Sequence, residues 1–258
     1  MKLKIHPKEE IYFIFSIMWS LIFYYGLVQF IYSLNQISDS VATRTLIRLY
    51  VTYIGLIIIY IVFYKGFLVG YIRNNAVRIH SAQLPEIYEI FKEIASKMGF
   101  RKVPELYVLQ SGGVLNAFAA RFWGKNMVVI YSDILETAYE DGRETTAFIL
   151  AHELAHLKRF HTTKMLLLFP AKFFPFLMPA YKRGCEYTCD RAGFEIEPVG
   201  ARKGLLLLAG GKKLYSKIKV DEFVKQSKEA RGFWSWFSKS ASTHPPLPKR
   251  LSNLGIEN

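Results

Sequence analysis

The chain has 258 residues, 51% of them hydrophobic and 16% aromatic, a composition too apolar for an intrinsically disordered polymer. Its two cysteines are too few for a disulfide-stapled secreted scaffold, and 258 residues suffice for one substantial domain with something beside it. The net charge of +13 lies mostly beyond residue 72, where 28 basic residues face 18 acidic ones; no nucleic-acid-binding motif accompanies it, so the reading is a basic domain beside anionic lipid, with no nucleic acid partner.

Ile11 to Ile37 contains no charged residue and is long enough to cross a hydrocarbon core as a helix. A secretory signal would have a shorter apolar region and a small-residue cleavage site, and here a second apolar stretch, Leu49 to Ile72, follows almost at once. Its single lysine, Lys65, has a stem long enough to reach the headgroups. Two transmembrane helices are therefore expected in residues 1–72. Lys2, Lys4 and Lys8 precede the first span and Lys65, Arg73 and Arg78 attend the exit of the second, whereas the connector Asn35 to Arg48 offers only Arg44 and Arg48. The positive-inside rule then puts both termini, and the domain 73–258, in the cytoplasm.

A polar neck, Arg73 to His80, leads to a helix over Leu84 to Met98, with Ile87, Ile90, Phe91, Ile94 and Met98 on one face and Gly99 as its stop. Pro104 to Leu109 reads as a strand, Gly112-Gly113 as a turn, and Met127 to Tyr131 as a second strand. Asp141-Gly-Arg-Glu144 has the form of a capping box, which starts the next helix there and carries it to about His161.

That helix contains His152-Glu-Leu-Ala-His156. Imidazoles four residues apart project from one helical face and can share one tetrahedral metal, while Glu153 is placed to act as general base on a water. A catalytic zinc needs a third protein ligand and an open fourth position. A histidine at position 162 would supply it, but that residue is Thr162, and His161 falls on another side of a continuous helix. Glu186 is the better candidate, since Asp190 one turn on faces the same way and could fix the outer nitrogen of a ligand imidazole. Cys185 and Cys189 flank it, four apart on a helix and awkward to bridge; they read as small helix residues in a reducing compartment.

His152-Glu153-x-x-His156 followed by Glu186 and Asp190 resembles the membrane-associated gluzincin peptidases that include the HtpX-type and CAAX prenyl proteases. Asn116-Ala-Phe, Met127 to Leu135 and Thr243-His-Pro-Pro-Leu with Arg250 are similar to further motifs of that family, and the likeness runs from about Leu84 to Leu254. It implies an α+β, mostly helical zincin-type peptidase domain with a small sheet, preceded by two transmembrane helices. It implies one Zn2+ per chain held by His152, His156 and Glu186, Glu153 as the base, Asp190 behind a ligand histidine, and Asn116 and His244 in the cleft. The strand Met127 to Tyr131, if it borders that cleft, could hold substrate by β-augmentation. The partners implied are the lipid bilayer and extended or unfolded polypeptide, including membrane proteins under quality control. Alternatives are processing of one specific or lipidated peptide, and a non-catalytic zinc-binding scaffold.

HtpX-type chains carry further spans before the third ligand, whereas this one has only Met165 to Ala180, with Lys172 and three prolines. His156 and Glu186 must meet on one side of the bilayer, and 29 intervening residues are too few for two crossings, which need roughly 40. The segment is therefore expected to dip into the interface or pack as a buried helical hairpin. Phe233-Trp-Ser-Trp-Phe237 is a second aromatic cluster, read as core or as membrane contact.

Overall fold

The computed structural model describes residues 3–37, 41–110, 117–122 and 125–256. Two long helices come first, α1 (Pro7–Ile37) and α2 (Val41–Asn75), both long and apolar enough to cross a membrane. At 1.5 Å per residue they measure about 46 and 52 Å, more than the roughly 30 Å of hydrocarbon. The surplus of α1 is docked on the rest of the protein: Tyr12, Phe13, Ile17 and Trp19 pack against a buried cluster of Leu168, Ala171, Leu177, Met178, Tyr181 and Cys185.

The chain continues through β1 (Val77–Ile79), α3 (Pro85–Lys97), β2 (Glu105–Leu109), β3 (Ala117–Phe122) and β4 (Lys125–Tyr131). In α3, proline at the first helical position supplies a ready-made φ, and Ile87, Phe91, Ile94 and Ala95 form the buried stripe. Gly99, at φ +73°, takes the left-handed turn that ends it. The four strands lie in the order β1-β2-β4-β3, with β2 and β4 parallel and the other pairs antiparallel. The run Met127-Val-Val-Ile130 is buried on both faces, as a central strand requires. The end strands of the sheet are therefore β1 and β3, and the expectation that Met127 to Tyr131 borders the cleft is corrected: β4 is paired on both sides.

Next come α4 (Ser132–Asp141), α5 (Arg143–Lys158), α6 (His161–Leu167), a 3-10 turn at Phe169–Phe173, α7 (Leu177–Ile196) and α8 (Pro198–Leu214). A 3-10 turn at Tyr215–Lys217, α9 (Val220–Glu229), α10 (Phe233–Ala241) and α11 (Leu247–Asn253) complete the fold. Helix α5 is the hub. Thr145 to Leu157 is buried almost throughout, because α3, α7, α8 and the sheet all pack on it. Its contact with α8 depends on Gly200, where a Cβ would lie 2.0 Å from the Glu144 carbonyl oxygen.

The anticipated capping box does not form. Asp141 closes α4, Gly142 at φ +128° separates the helices, and the Asp141 carboxylate instead accepts hydrogen bonds from Thr145 and from Tyr215 Oη, the latter at 2.8 Å. Between α5 and α7 the chain makes a compact helical hairpin on α1, with Trp19 against Phe174 and Phe23 stacked on Phe173. Leu166, Leu167, Phe169 and Phe173 remain exposed along it. The aromatic face of α10 is also exposed rather than core, with Trp236 and Phe237 touching Phe176.

Candidate metal centre

His152, Glu153 and His156 lie on α5 and Glu186 and Asp190 on α7, and the packing of these helices puts all but Asp190 in the wall of a cavity of about 200 Å³, with Asp190 behind His152. Phe118 and Ala119 of β3 form one wall, and His244 and Arg250 another. The Nε2 atoms of the two histidines are 3.3 Å apart, and each is 3.4 Å from a Glu186 oxygen. A tetrahedral ion with bonds of 2.0–2.1 Å requires donor separations of about 3.3–3.4 Å, so the two Nε2 atoms have the spacing of one edge of a zinc site, with the Glu186 carboxylate presenting Oε2 to His152 and Oε1 to His156.

Charge points the same way. Burial works to lower the His152 pKa, yet Asp190 and Glu186 overcome it and push it up to about 10, so the pocket is built to hold positive charge. Glu186 is held well below the usual carboxylate range, burial being outweighed by its contacts with His152 and His156. Glu153 differs. It makes no hydrogen bond or ion pair among the described residues, and burial raises its pKa above the ordinary glutamate value, as suits a group that takes up and returns a proton.

His152, His156 and Cys189 also have potential ligand atoms within 4.8 Å of one another. Cys189 approaches from beside His161, 3.8 Å from its Nδ1, and burial holds its thiol well above its usual pKa. The Glu186 carboxylate, by contrast, faces both Nε2 atoms directly, each at 3.4 Å from one of its oxygens. Both cysteines are free and buried.

Asp190 lies 3.0 Å from His152 Nδ1, a charge contact outside hydrogen-bond alignment. The larger part of its interaction is with Arg250, a residue to which sequence reasoning assigned no role. The guanidinium donates from Nε and Nη2 to the two Asp190 oxygens at 2.7 and 2.6 Å, and lies 3.6 Å from Glu186. Burial would raise the Asp190 carboxyl, and this fork instead holds it below its ordinary value. His244 stands at the cavity rim with Nε2 3.6 Å from Glu186. Asn116 lies outside the described residues.

His161 is also at the centre, though not as a ligand. Helix α5 stops at Lys158, Phe160 adopts a left-handed conformation (φ 55°, ψ 34°), and α6 folds back so that His161 Nδ1 lies 3.0 Å from His156 Nδ1. Burial is the main cause that lowers the His161 pKa to about 4, leaving a neutral ring. Its Nε2 is 3.2 Å from Glu9 Oε1 of α1. Helical phase excluded His161 as a ligand, but no local signal marked the break that returns it to the site.

Comparison with known proteins agrees with this geometry. The sequence profile described as Peptidase family M48 matches residues 81–174, a stretch that holds α3, the strands from β2 to β4, and His152, Glu153 and His156, and ends before Glu186. Comparison with curated proteins found no match. Among solved structures, the crystal structure of Ste24p from S. mikatae shares the fold with a TM-score of 0.54 at 15% identity, covering 98% of this chain and 67% of that one.

Proposed function

Starting from a peptidase family M48 domain at residues 81–174, we propose that the chain is a membrane-anchored, zinc-dependent endopeptidase whose ligands are His152, His156 and Glu186. One observation carries the reading: two Nε2 atoms at the spacing of a tetrahedral edge, with the Glu186 carboxylate closing the face, lie in the same cavity as a buried Glu153 that has no partner among the described residues. Zinc at that face would supply Lewis-acid polarisation of a peptide carbonyl and acidify a water.

The protein groups divide the remaining work. Glu153 takes the proton of the attacking water and returns it to the departing amine. Asp190, fixed by Arg250, holds His152 in orientation. His244 at the rim donates to the developing oxyanion. The edge of β3, with Phe118 and Ala119 in the cavity wall, aligns an extended substrate by strand addition, which favours unfolded polypeptide over folded protein. The docked α1 and the exposed apolar hairpin keep the cleft at the bilayer, where membrane proteins under quality control would meet it. The basic residues flanking the two spans support a cytoplasmic orientation.

The test is cleavage of casein by the purified full chain, with and without a chelator, beside Glu153→Gln. Loss of cleavage in the chelated protein and in the variant, with zinc still bound by the variant, is the expected result. A variant that keeps both zinc and activity overturns the mechanism, and a non-catalytic zinc scaffold is indicated if the wild type holds zinc yet cuts nothing.

A further inference from the structure

We propose that Glu9, on the first apolar helix, positions the ligand His156 through His161, so that the membrane anchor is a working part of the metal centre. This rests on the reading of His152, His156 and Glu186 as the ligands.

The chain of atoms has only one consistent arrangement of protons. To present Nε2 toward His152 and Glu186, His156 must carry its proton on Nδ1. That N–H faces His161 Nδ1 at 3.0 Å, which can accept it only if the His161 proton sits on Nε2. The Nε2–H then donates to Glu9 Oε1 at 3.2 Å. Two imidazoles meeting Nδ1 to Nδ1 do not decide between themselves which one donates. The carboxylate at the far end does, because it accepts and cannot donate. Asp190 stands directly behind His152 and Glu9 stands behind His156 with one ring between, so each ligand imidazole is backed by a carboxylate.

Glu9 is fixed for this role. It is 1% exposed, and Arg159, the residue that ends α5, donates to Oε1 from Nε and Nη2 at 3.1 and 2.8 Å. The backbone is fixed as well: Gly184 lets α7 touch the first turn of α1, since a Cβ there would lie 2.6 Å from the Glu9 nitrogen. The buried trio Glu9, His161 and Cys185 could alternatively be taken as a second metal site. Both His161 nitrogens are already engaged, however, and Arg159 with Lys164 at 3.9 Å already supplies positive charge to Glu9.

The experiment measures zinc affinity of the full-length protein in lipid nanodiscs by competition with a chelating dye. The Co2+ absorption spectrum and the melting temperature of the metal-free protein are recorded alongside. Glu9→Gln and His161→Ala are each expected to weaken zinc binding about 10–100-fold. The double variant should be no weaker than His161→Ala alone. His161→Gln, whose amide keeps an acceptor toward His156 and a donor toward Glu9, should recover part of the loss and of the Co2+ spectrum. Affinity within twofold of wild type in both single variants overturns the proposal, as does a Glu9→Gln loss that persists undiminished when His161 is already alanine. A wild type that binds no zinc, or a His156→Ala variant that binds it as tightly as wild type, overturns the ligand assignment itself.

Discussion

Replacing Arg250 by methionine removes one half of a fork that has no solvent to fall back on. An exposed ion pair contributes about 0–1 kcal/mol, because water replaces whatever the partner supplied. Here Arg250 is 4% exposed and Asp190 fully buried, the two bonds are 2.7 and 2.6 Å long, and Glu186 is 3.6 Å away. Deleting the guanidinium leaves the buried Asp190 with only its contact to His152 and without either hydrogen bond of the fork, a loss of about 3–5 kcal/mol. Arg250→Lys keeps a point charge and forfeits the fork, and should cost about 1.5–3 kcal/mol. Adding Asp190→Asn to Arg250→Met should return more than about 2 kcal/mol, because the stranded charge is gone. Denaturant unfolding of the zinc-free protein in detergent reads wild type, Arg250→Met, Arg250→Lys, Asp190→Asn and the double variant. A cost below about 1 kcal/mol for Arg250→Met, or simple additivity in the double variant, would refute the reasoning.

Gly184→Ala places a Cβ 2.6 Å from the Glu9 nitrogen, so α1 must retreat by roughly 1 Å; a loss of about 1–3 kcal/mol in thermal unfolding is expected, and an unchanged melting temperature argues against the docking described. Asp141 has its pKa lowered, burial being overcome by hydrogen bonds from Thr145, Tyr215 and Lys203, so its stabilisation is present above the unfolded aspartate pKa and disappears as pH falls through the lower folded value. Asp141→Asn should therefore cost about 1–3 kcal/mol at pH 7 and progressively less below about pH 4, measured by unfolding across that range. Single cysteines at Thr163 and Glu195, exposed positions on either side of the apolar hairpin, should label from the same face of the membrane; opposite faces would remove the non-crossing topology.

The candidate pair His152 and His156 was legible because two imidazoles four apart on a helix are a local pattern, and Glu186 with Asp190 repeats that logic on a second helix. The apolar spans and the buried stripe of α3 were legible for the same reason. Strand β3 was not: Ala117-Phe-Ala-Ala-Arg-Phe122 has no β-branched residue, and it forms a strand through pairing with β4. The helix expected over 141–161 divides at Gly142 and ends at Lys158, and a phenylalanine at positive φ is a conformation that tertiary packing imposes. Glu9 and His161 are 152 positions apart, and nothing short of the packing of α1 on α7 brings them together. Arg250 was legible as part of a motif, but its pairing with Asp190 was not, because the two are 60 positions apart.

The docking of α1 also sets a length. Ser20 is the last buried residue on the helix among those described, and from there to Ile37 the helix runs about 26 Å, close to the thickness of the hydrocarbon. Glu9, which reaches His156 through His161, lies about 17 Å before Ser20 on the same helix. With no linker between them, the two form a rigid ruler. Under the proposed function, with the bilayer beginning at Ser20, a polypeptide emerging from it would extend by about five residues before any bond reached the cleft, so the anchor would determine how long a stub each cut leaves behind.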